Sequence, residues 1–295
     1  PDHLNCYGYR KRKTSHFMDS LARQGALFRN CFSTGPYTSP SFCSIIAGIY
    51  PLQYRHFMPL PEQAVLVSEA LKKKGYKTIA IHSNPYLSRF FGYSRGFGIF
   101  REYESKTPVM KLSQKITKIF GPDSIVYRAS AFMFYRLLSP ILGRIKSRDV
   151  NVSYTNAEKL KNDTLKILKE QKSGNVFCWM HFMDTHAPYM PPKEVLERNK
   201  AGLNRKRIQE LNRIQAEAKK NRNMKTRKKD LEGLKLLYDN EISYIDSQLM
   251  DFFRSLPERY RKDSVFIITA DHGEEFLEHG MTDHEDLPYD ELLRV

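Results

Sequence analysis

Long apolar runs and cysteine motifs are both missing from this chain of 295 residues. No stretch reaches 18 apolar residues, so no membrane-spanning helix is predicted. The four cysteines have no CxxC spacing and are too few for a disulfide framework in a chain of this length. Cys31, Cys43 and Cys178 lie among apolar residues, and we expect buried free thiols there.

The start of the chain has no basic segment followed by an apolar one, so no signal peptide is predicted. The first residue is Pro1 and not Met, and the sequence therefore leaves the location of the protein open. We find no motif for specific nucleic-acid recognition, and the sequence does not predict an oligomeric state.

Positive charge is concentrated in two segments, although the whole chain carries a net charge of +15. Residues 198–230 hold 13 Lys/Arg against 3 Asp/Glu, and residues 104–150 hold 9 against 3. The rest of the chain sums to −1. We interpret both segments as basic helical insertions in a single domain that spans residues 1–295. Each is either a solvated or covering element or a contact with an anionic membrane or glycan surface.

Helical and strand-like patterns alternate along the chain, which favours an α/β fold with a mostly parallel sheet. Apolar spacing predicts helices at 14–25, 39–48, 62–74, 155–170 and 234–256. Thr14 or Ser15 is expected to cap the first helix, and Gly25 to end it. Short apolar runs predict buried strands at 78–81, 176–182 and 265–269.

Each predicted strand is followed by polar residues that can bind ligands. The pairs are His82 with Asn84, Asp184 with His186, and Asp271 with His272. Because chemistry collects at the carboxyl ends of the strands in such sheets, we expect a site there.

Asp271 and His272 offer a carboxylate and an imidazole side by side, which suits a divalent metal. Gly273 is expected to let the backbone turn beneath them, and Glu274 and Glu275 to be supporting or solvated residues.

Thr38 precedes a predicted helix, where free N–H groups favour an anionic substrate or a reactive hydroxyl. A plain helix cap is the alternative. His186, His279 and His284 could stabilise an oxyanion or protonate a leaving group, whereas His3, His16 and His56 have no such context and are interpreted as structural.

Several ordered motifs together resemble the sulfatase family of the alkaline phosphatase superfamily. The most specific are HFMDTHAPY at 181–189, LYDNEISYID at 237–246 and DHGE at 271–274. Weaker matches lie at 2–9, 18–28, 38–51, 75–78, 96–97 and 289–295. The resemblance implies an alkaline-phosphatase-like, three-layer α/β/α fold with a mostly parallel central sheet.

The resemblance also implies roles for individual residues. Asp271 and His272 would bind one divalent metal ion, Ca²⁺, Mn²⁺ or Mg²⁺. Thr38 falls at the nucleophile position and His186 at a position that assists the leaving oxygen. Asn84 and His284 fall near positions that bind the substrate.

Three departures from the family pattern shape the functional hypothesis. Threonine cannot mature to formylglycine, so formylglycine is not expected, and Phe42 replaces the usual arginine. A threonine nucleophile resembles the phosphoglycerol and phosphoethanolamine transferase and phosphonate-ester branches. The family's first acidic metal ligand would precede Pro1 and its last strand would follow Val295, so we expect a copy of the domain cut at both ends.

These observations predict a metal-dependent hydrolase or transferase of sulfate or phosphate esters that uses Thr38 as its nucleophile. A two-metal phosphodiesterase or phosphomutase of the same superfamily is an alternative within enzymes. The alternative from another class is a non-catalytic domain of the same fold that binds anionic glycans or lipids through its basic insertions.

Overall fold

The computed structural model describes residues 2–53, 58–103, 154–221, 224–284 and 287–295. The chain has mixed α/β structure with a parallel sheet, as the sequence predicts. It divides into two compact units. Unit 1 contains Pro1–Ser41, Asn156–Glu170 and Asp184–Val295, and unit 2 contains Phe42–Thr155 and Gln171–Met183. Among the described helices, none is long and apolar enough to cross a membrane.

The helices in chain order are α1 His16–Gln24, α2 Thr38–Ala47, α3 Val67–Lys73, α4 Ala157–Glu170, α5 Lys193–Arg198, α6 Arg205–Lys220, α7 Lys228–Ser255, α8 Glu258–Lys262 and α9 Asp290–Leu293. The strands are β1 Lys77–His82, β2 Ile99–Glu102, β3 Val176–His181, β4 Glu275–Phe276 and β5 Thr282–Asp283. All five predicted helices form, although α3 begins five residues later than the pattern indicates.

Unit 2 is built on a three-stranded parallel sheet with the order β2-β1-β3. Ile79 pairs with Ile99 on one side and with Cys178 on the other. Five of the six residues of β1 are buried, as expected for a central parallel strand. The predicted strands at 78–81 and 176–182 are thus confirmed. The core of this unit includes Phe42 and Trp179, whose rings lie 5.5 Å apart.

The third predicted strand is wrong in the structure. Residues 265–269 are not assigned to a strand, and Val265 and Ile267 are 89% and 85% exposed. Apolar composition predicts burial only where a neighbouring strand accepts the backbone hydrogen bonds, and no strand pairing of this segment occurs among the described residues.

The described part of the basic segment 198–230 contains α6, which is not simply solvated. Helix α6 buries Ile208 and Leu211 in an apolar cluster that also contains Leu234 and Leu237 of α7. The predicted basic helical insertion therefore has one face inside the core of unit 1. The other basic segment, 104–150, lies outside the described residues.

The four cysteines are free thiols, as predicted, but of the three expected to be buried only Cys43 is buried. Cys31 is exposed, Cys43 is buried, and Cys6 and Cys178 are partly buried.

Helix α1 receives its amino-terminal cap from a distant part of unit 1. Ser15 occupies the cap position but makes no capping hydrogen bond with its side chain. The two carboxylate oxygens of Asp246 on α7 instead accept the backbone N–H groups of Phe17 and Met18, each at 2.8 Å. These are the N–H groups that a helix leaves unsatisfied at its beginning.

A pair of acidic residues fixes the polypeptide that follows β3. One oxygen of Asp184 accepts the backbone N–H of Ala157, at the start of α4, at 3.0 Å. Glu241 on α7 accepts the backbone N–H of Met190 at 2.6 Å. Burial raises the pKa of Asp184 to about 6, and burial together with the nearby Asp184 raises the pKa of Glu241 well above its ordinary value. The segment from 184 to 190 is therefore held at both of its ends.

Replacing Asp246 by alanine should lower the free energy of unfolding by about 1–3 kcal/mol, because two partly buried N–H groups lose their acceptors. Chemical denaturation of the two proteins measures the difference. The matched control is Asp251→Ala on the same helix, where the carboxylate is 52% exposed and the expected change is about 0.5 kcal/mol or less. Equal effects of the two substitutions would contradict the capping role.

Replacing Asp184 by asparagine should stabilise the protein at pH 8 but not at pH 4. A raised pKa means that the folded state holds the proton of Asp184 more tightly than the unfolded state. The stability that comes from this bound proton is lost as pH rises from about 4 to about 6. Asparagine carries no charge and keeps an oxygen for Ala157 N–H. We expect a gain of about 1–3 kcal/mol at pH 8.

The stability of Asp184→Asn is measured by thermal unfolding between pH 4 and pH 8. Asp263→Asn is the control because Asp263 is exposed. A gain that is the same at pH 4 and pH 8 would show that the charge of Asp184 is not its cause.

Candidate active site

Asp271 and His272 begin a segment that is fixed by a close backbone contact. The backbone N–H of Gly273 donates to the carbonyl oxygen of Leu292 at 2.7 Å. A Cβ at position 273 would lie 1.8 Å from the carbonyl oxygen of Glu291. Glycine is therefore required here by the approach of α9, and not by the sharp turn that the sequence suggested.

The side chains of Asp271 and His272 are almost buried and present a suitable pair of metal ligands. Nδ1 of His272 lies 2.8 Å from the carbonyl oxygen of Gly273, so this nitrogen carries the proton of the neutral ring. Nε2 then holds a lone pair, 3.5 Å from Oδ2 of Asp271. Burial, together with the nearby His284, lowers the pKa of His272 and favours that neutral form. Two lone pairs at this separation fit a shared divalent cation.

His284 follows the hairpin of β4 and β5 and lies between two buried carboxylates. Its Nδ1 is 2.8 Å from Oε1 of Glu274 and 2.8 Å from Oδ1 of Asp283. Burial opposes a charge on the ring, but the two carboxylates outweigh it and raise the pKa of His284 to about 10. The pKa of Asp283 lies well below its ordinary value, because His284 and Lys219 offset the cost of its burial. The imidazole is therefore held as a cation.

His186 lies against the same cation. Its ring centroid is 5.0 Å from that of His284 in an edge-on arrangement, and the ring of His272 is 4.0 Å from His284. Nδ1 of His186 lies 2.6 Å from the carbonyl oxygen of Ala187. Burial and the charge of His284 lower the pKa of His186. The structure thus brings together three histidines that the sequence singled out, His186, His272 and His284, and places Asp271 beside His272.

His186, Asp283 and His284 also each offer a ligand atom within 4.8 Å of one another. Such a set could in principle hold a metal ion. The Nδ1 proton of His284 is, however, shared with Glu274 and Asp283, which stabilises the protonated ring against metal binding. We therefore regard this group as an ion-pair network.

Thr38 is the first residue of α2 and is buried at 7% exposure. The preceding turn is closely packed. A Cβ at Gly35 would lie 2.4 Å from Cγ of Pro40, and Oγ of Ser41 lies 2.8 Å from the carbonyl oxygens of Gly35 and Tyr37. The hydroxyl of Thr38 therefore lies at a closely packed helix start, beside the helix that the sequence predicts at 39–48. The contacts that join the three histidines do not include it.

Asn84 is buried in unit 2 and has a structural partner. Its side-chain oxygen accepts the backbone N–H of Tyr86 at 2.9 Å and so caps a short 3₁₀ turn at Pro85–Leu87. A role in substrate binding stays a prediction for this residue. His3, interpreted as structural, is buried and bonded to Asp239.

Sequence reasoning named Glu274 and Glu275 as supporting or solvated residues but missed Asp283, another carboxylate that supports the site. Glu274 is buried and joins His284 to the hydroxyl of Tyr189, which lies 2.7 Å from its other oxygen. Asp283 adopts a positive φ of 79°, which no sequence pattern indicated. Glu275 is also buried, and it accepts the N–H groups of His279 and Met281. The run of acidic residues after Gly273 was the only available signal.

Solved structures with a similar fold are enzymes that act on phosphonate or sulfate esters. A phosphonate monoester hydrolase of Agrobacterium radiobacter superposes with a TM-score of 0.64 at 17% identity, over 99% of this chain and 64% of that one. A 2-O GAG sulfatase superposes with a TM-score of 0.58 at 14% identity, over 99% of this chain and 59% of that one. These likenesses establish an alkaline-phosphatase-like fold.

Sequence comparison gives a match that covers fewer residues but has a higher identity. An N-acetylgalactosamine-6-O-sulfatase of Bacteroides thetaiotaomicron is 32% identical over 83 residues, which is 25% of this chain and 16% of that protein. The chain thus spans less than two thirds of the length of these relatives. The family model described as Sulfatase matches residues 1–295. This protein therefore belongs to the sulfatase family.

Proposed function

We propose that the protein hydrolyses or transfers sulfate or phosphate ester groups, with Thr38 as the nucleophile and a divalent metal at Asp271 and His272. The observation that carries the proposal is the ring of His284, which is held between two carboxylates and lies beside two further imidazole rings. An anionic ester group needs positive charge and hydrogen-bond donors in a site of low dielectric constant, and this cluster supplies both.

In this proposal one pair of side chains would bind the metal and His284 would bind the ester oxygens. Asp271 and His272 would hold the metal through Oδ2 and Nε2, which lie 3.5 Å apart. When bound, a divalent metal supplies a Lewis acid that lowers the pKa of a coordinated hydroxyl and balances charge on the ester oxygens. His284 donates to those oxygens, and its charge is maintained by Glu274 and Asp283.

The bond changes follow from the roles of Thr38 and His186. Oγ1 of Thr38 loses its proton and forms a bond to sulfur or phosphorus, while the bond from that atom to the ester oxygen breaks. The proton that Thr38 loses passes to the leaving oxygen through Nε2 of His186, which can accept a proton because Nδ1 of the neutral ring donates to Ala187. Water or an acceptor alcohol then attacks the Thr38 ester, and its proton restores the threonine hydroxyl.

Replacing Thr38 by alanine should lower kcat by about 1,000-fold or more, because no other hydroxyl is proposed to form the covalent ester. Hydrolysis of 4-nitrophenyl sulfate, 4-nitrophenyl phosphate and a 4-nitrophenyl phosphonate monoester gives the rates and separates the two substrate classes. Ser44→Ala on the same helix is the control, because Ser44 donates to the carbonyl oxygen of Ile49. Full activity of Thr38→Ala on every ester that wild type cleaves would refute the nucleophile.

Removing the metal ligands should weaken metal binding without requiring an active enzyme. We expect Asp271→Ala and His272→Ala to raise the Kd for Mn²⁺ by about 10-fold or more, as measured by calorimetry on protein stripped with EDTA. Thr38→Ala should keep substantial affinity. Glu278→Gln is the control, since Glu278 is 40% exposed and pairs with Lys235. Unchanged Mn²⁺ binding in Asp271→Ala would place the metal elsewhere.

A further inference from the structure

Helix α6 turns one face toward the residues that surround His284. Asn212, Gln215 and Lys219 are spaced by three and four residues, so they lie on the same side of the helix. Asn212 and Gln215 are each 3% exposed. The outward face of the same helix carries exposed charged residues such as Lys206 and Arg213. Although its composition is basic, the segment 198–230 therefore also has a row of polar side chains on the inner face of α6.

The first two residues of this row fix the helix against the site. Asn212 accepts the backbone N–H of Tyr189 at 2.7 Å and donates to the carbonyl oxygen of Tyr189 at 2.8 Å. The carbonyl oxygen of Gln215 accepts the hydroxyl of Thr282 at 2.9 Å. Tyr189 lies three residues after His186, and Thr282 lies two residues before His284. The end of α6 is thus held in a defined place beside β5.

Lys219, at the end of the row, reaches the carboxylate that holds His284. Its Nζ lies 2.9 Å from Oδ2 of Asp283, and the lysine side chain is 32% exposed whereas the aspartate is 8% exposed. The other oxygen of Asp283 accepts the backbone N–H of His284 at 2.9 Å and lies 2.8 Å from its Nδ1. One carboxylate therefore connects the ammonium of Lys219 to the imidazole of His284.

Asp283 needs this second partner for a conformational reason. Its φ of 79° lies in the left-handed region, which is strained for a residue with a side chain unless the surroundings enforce it. The ion pair with Lys219 fixes the carboxylate from the side opposite to His284. Without that anchor, Asp283 can relax toward a more ordinary backbone, and His284 moves with it.

From these contacts we infer that Lys219 is a positioning residue, which fixes His284 in its reactive orientation through Asp283. The inference rests on the proposed function in one respect, that His284 contacts the transferred group. It assigns a role in the site to a residue of the basic segment 198–230, whose charge is otherwise explained by solvation or by an anionic partner.

The test compares Lys219→Met, which keeps the aliphatic stem, with Lys219→Arg, which keeps the charge, and with the exposed control Lys206→Met. We expect Lys219→Met to lower kcat by about 10- to 100-fold with a smaller change in KM, since a displaced group acts mainly in the transition state. Lys219→Arg should restore most of the rate, and Lys206→Met should match wild type.

A double-mutant cycle tests whether Lys219 acts through His284. In a His284→Ala background, Lys219→Met should cause no further loss of kcat, because the group that it positions is gone. Additive losses in the cycle would overturn the inference. So would a rate of Lys219→Met equal to that of wild type, or a loss that Lys219→Arg does not restore.

A measurement that needs no enzymatic activity distinguishes failure of the positioning role from failure of the proposed function. The experiment uses protein with ¹⁵N-labelled histidine, and the ring signals that are missing from His284→Ala are assigned to His284. These signals should shift in Lys219→Met and not in Lys206→Met. Unshifted signals would overturn the positioning role whatever the enzyme does. Shifted signals in a protein that cleaves none of the esters would support positioning and refute the proposed function alone.

Discussion

The two oxygens of the Glu274 carboxylate hold two different parts of the chain. One accepts the hydroxyl of Tyr189, and the other lies 2.8 Å from Nδ1 of His284. Because this carboxylate is buried, its charge is stabilised chiefly by the cation that it faces. The ion pair therefore links the segment that carries His186 to the hairpin that carries His284, and the ring contacts of the site follow from it.

The parts of the structure that depend on local pattern were predictable from the sequence. Strands β1 and β3 form where β-branched and aromatic residues run together, and α2 starts with Pro40 in its first turn. Asp271, His272, His186 and His284 were named from their places after apolar runs or within family motifs. All four lie in unit 1, and the three histidine rings lie together. Thr38 is placed at a helix start, and its role in chemistry stays a proposal.

The features that sequence reasoning missed are contacts between residues far apart in the chain. The cap of α1 comes from Asp246, 228 and 229 positions away from the N–H groups that it accepts. The pairing of Lys219 with Asp283 joins residues 64 positions apart. No periodicity encodes such partners, because helix spacing identifies the face of α6 but not what that face meets. The prediction of a buried strand at 265–269 is wrong for the same reason, because a segment is buried only where another part of the chain covers it.

The contact at Gly273 joins the segment of Asp271 and His272 closely to helix α9. With a carbonyl oxygen of residue 291 where a Cβ would lie, and the N–H of Gly273 bonded to Leu292, neither backbone can shift alone. A residue with a Cβ at position 273 would therefore have to displace α9. The absence of a single methyl group sets how closely the segment of Asp271 and His272 approaches this helix.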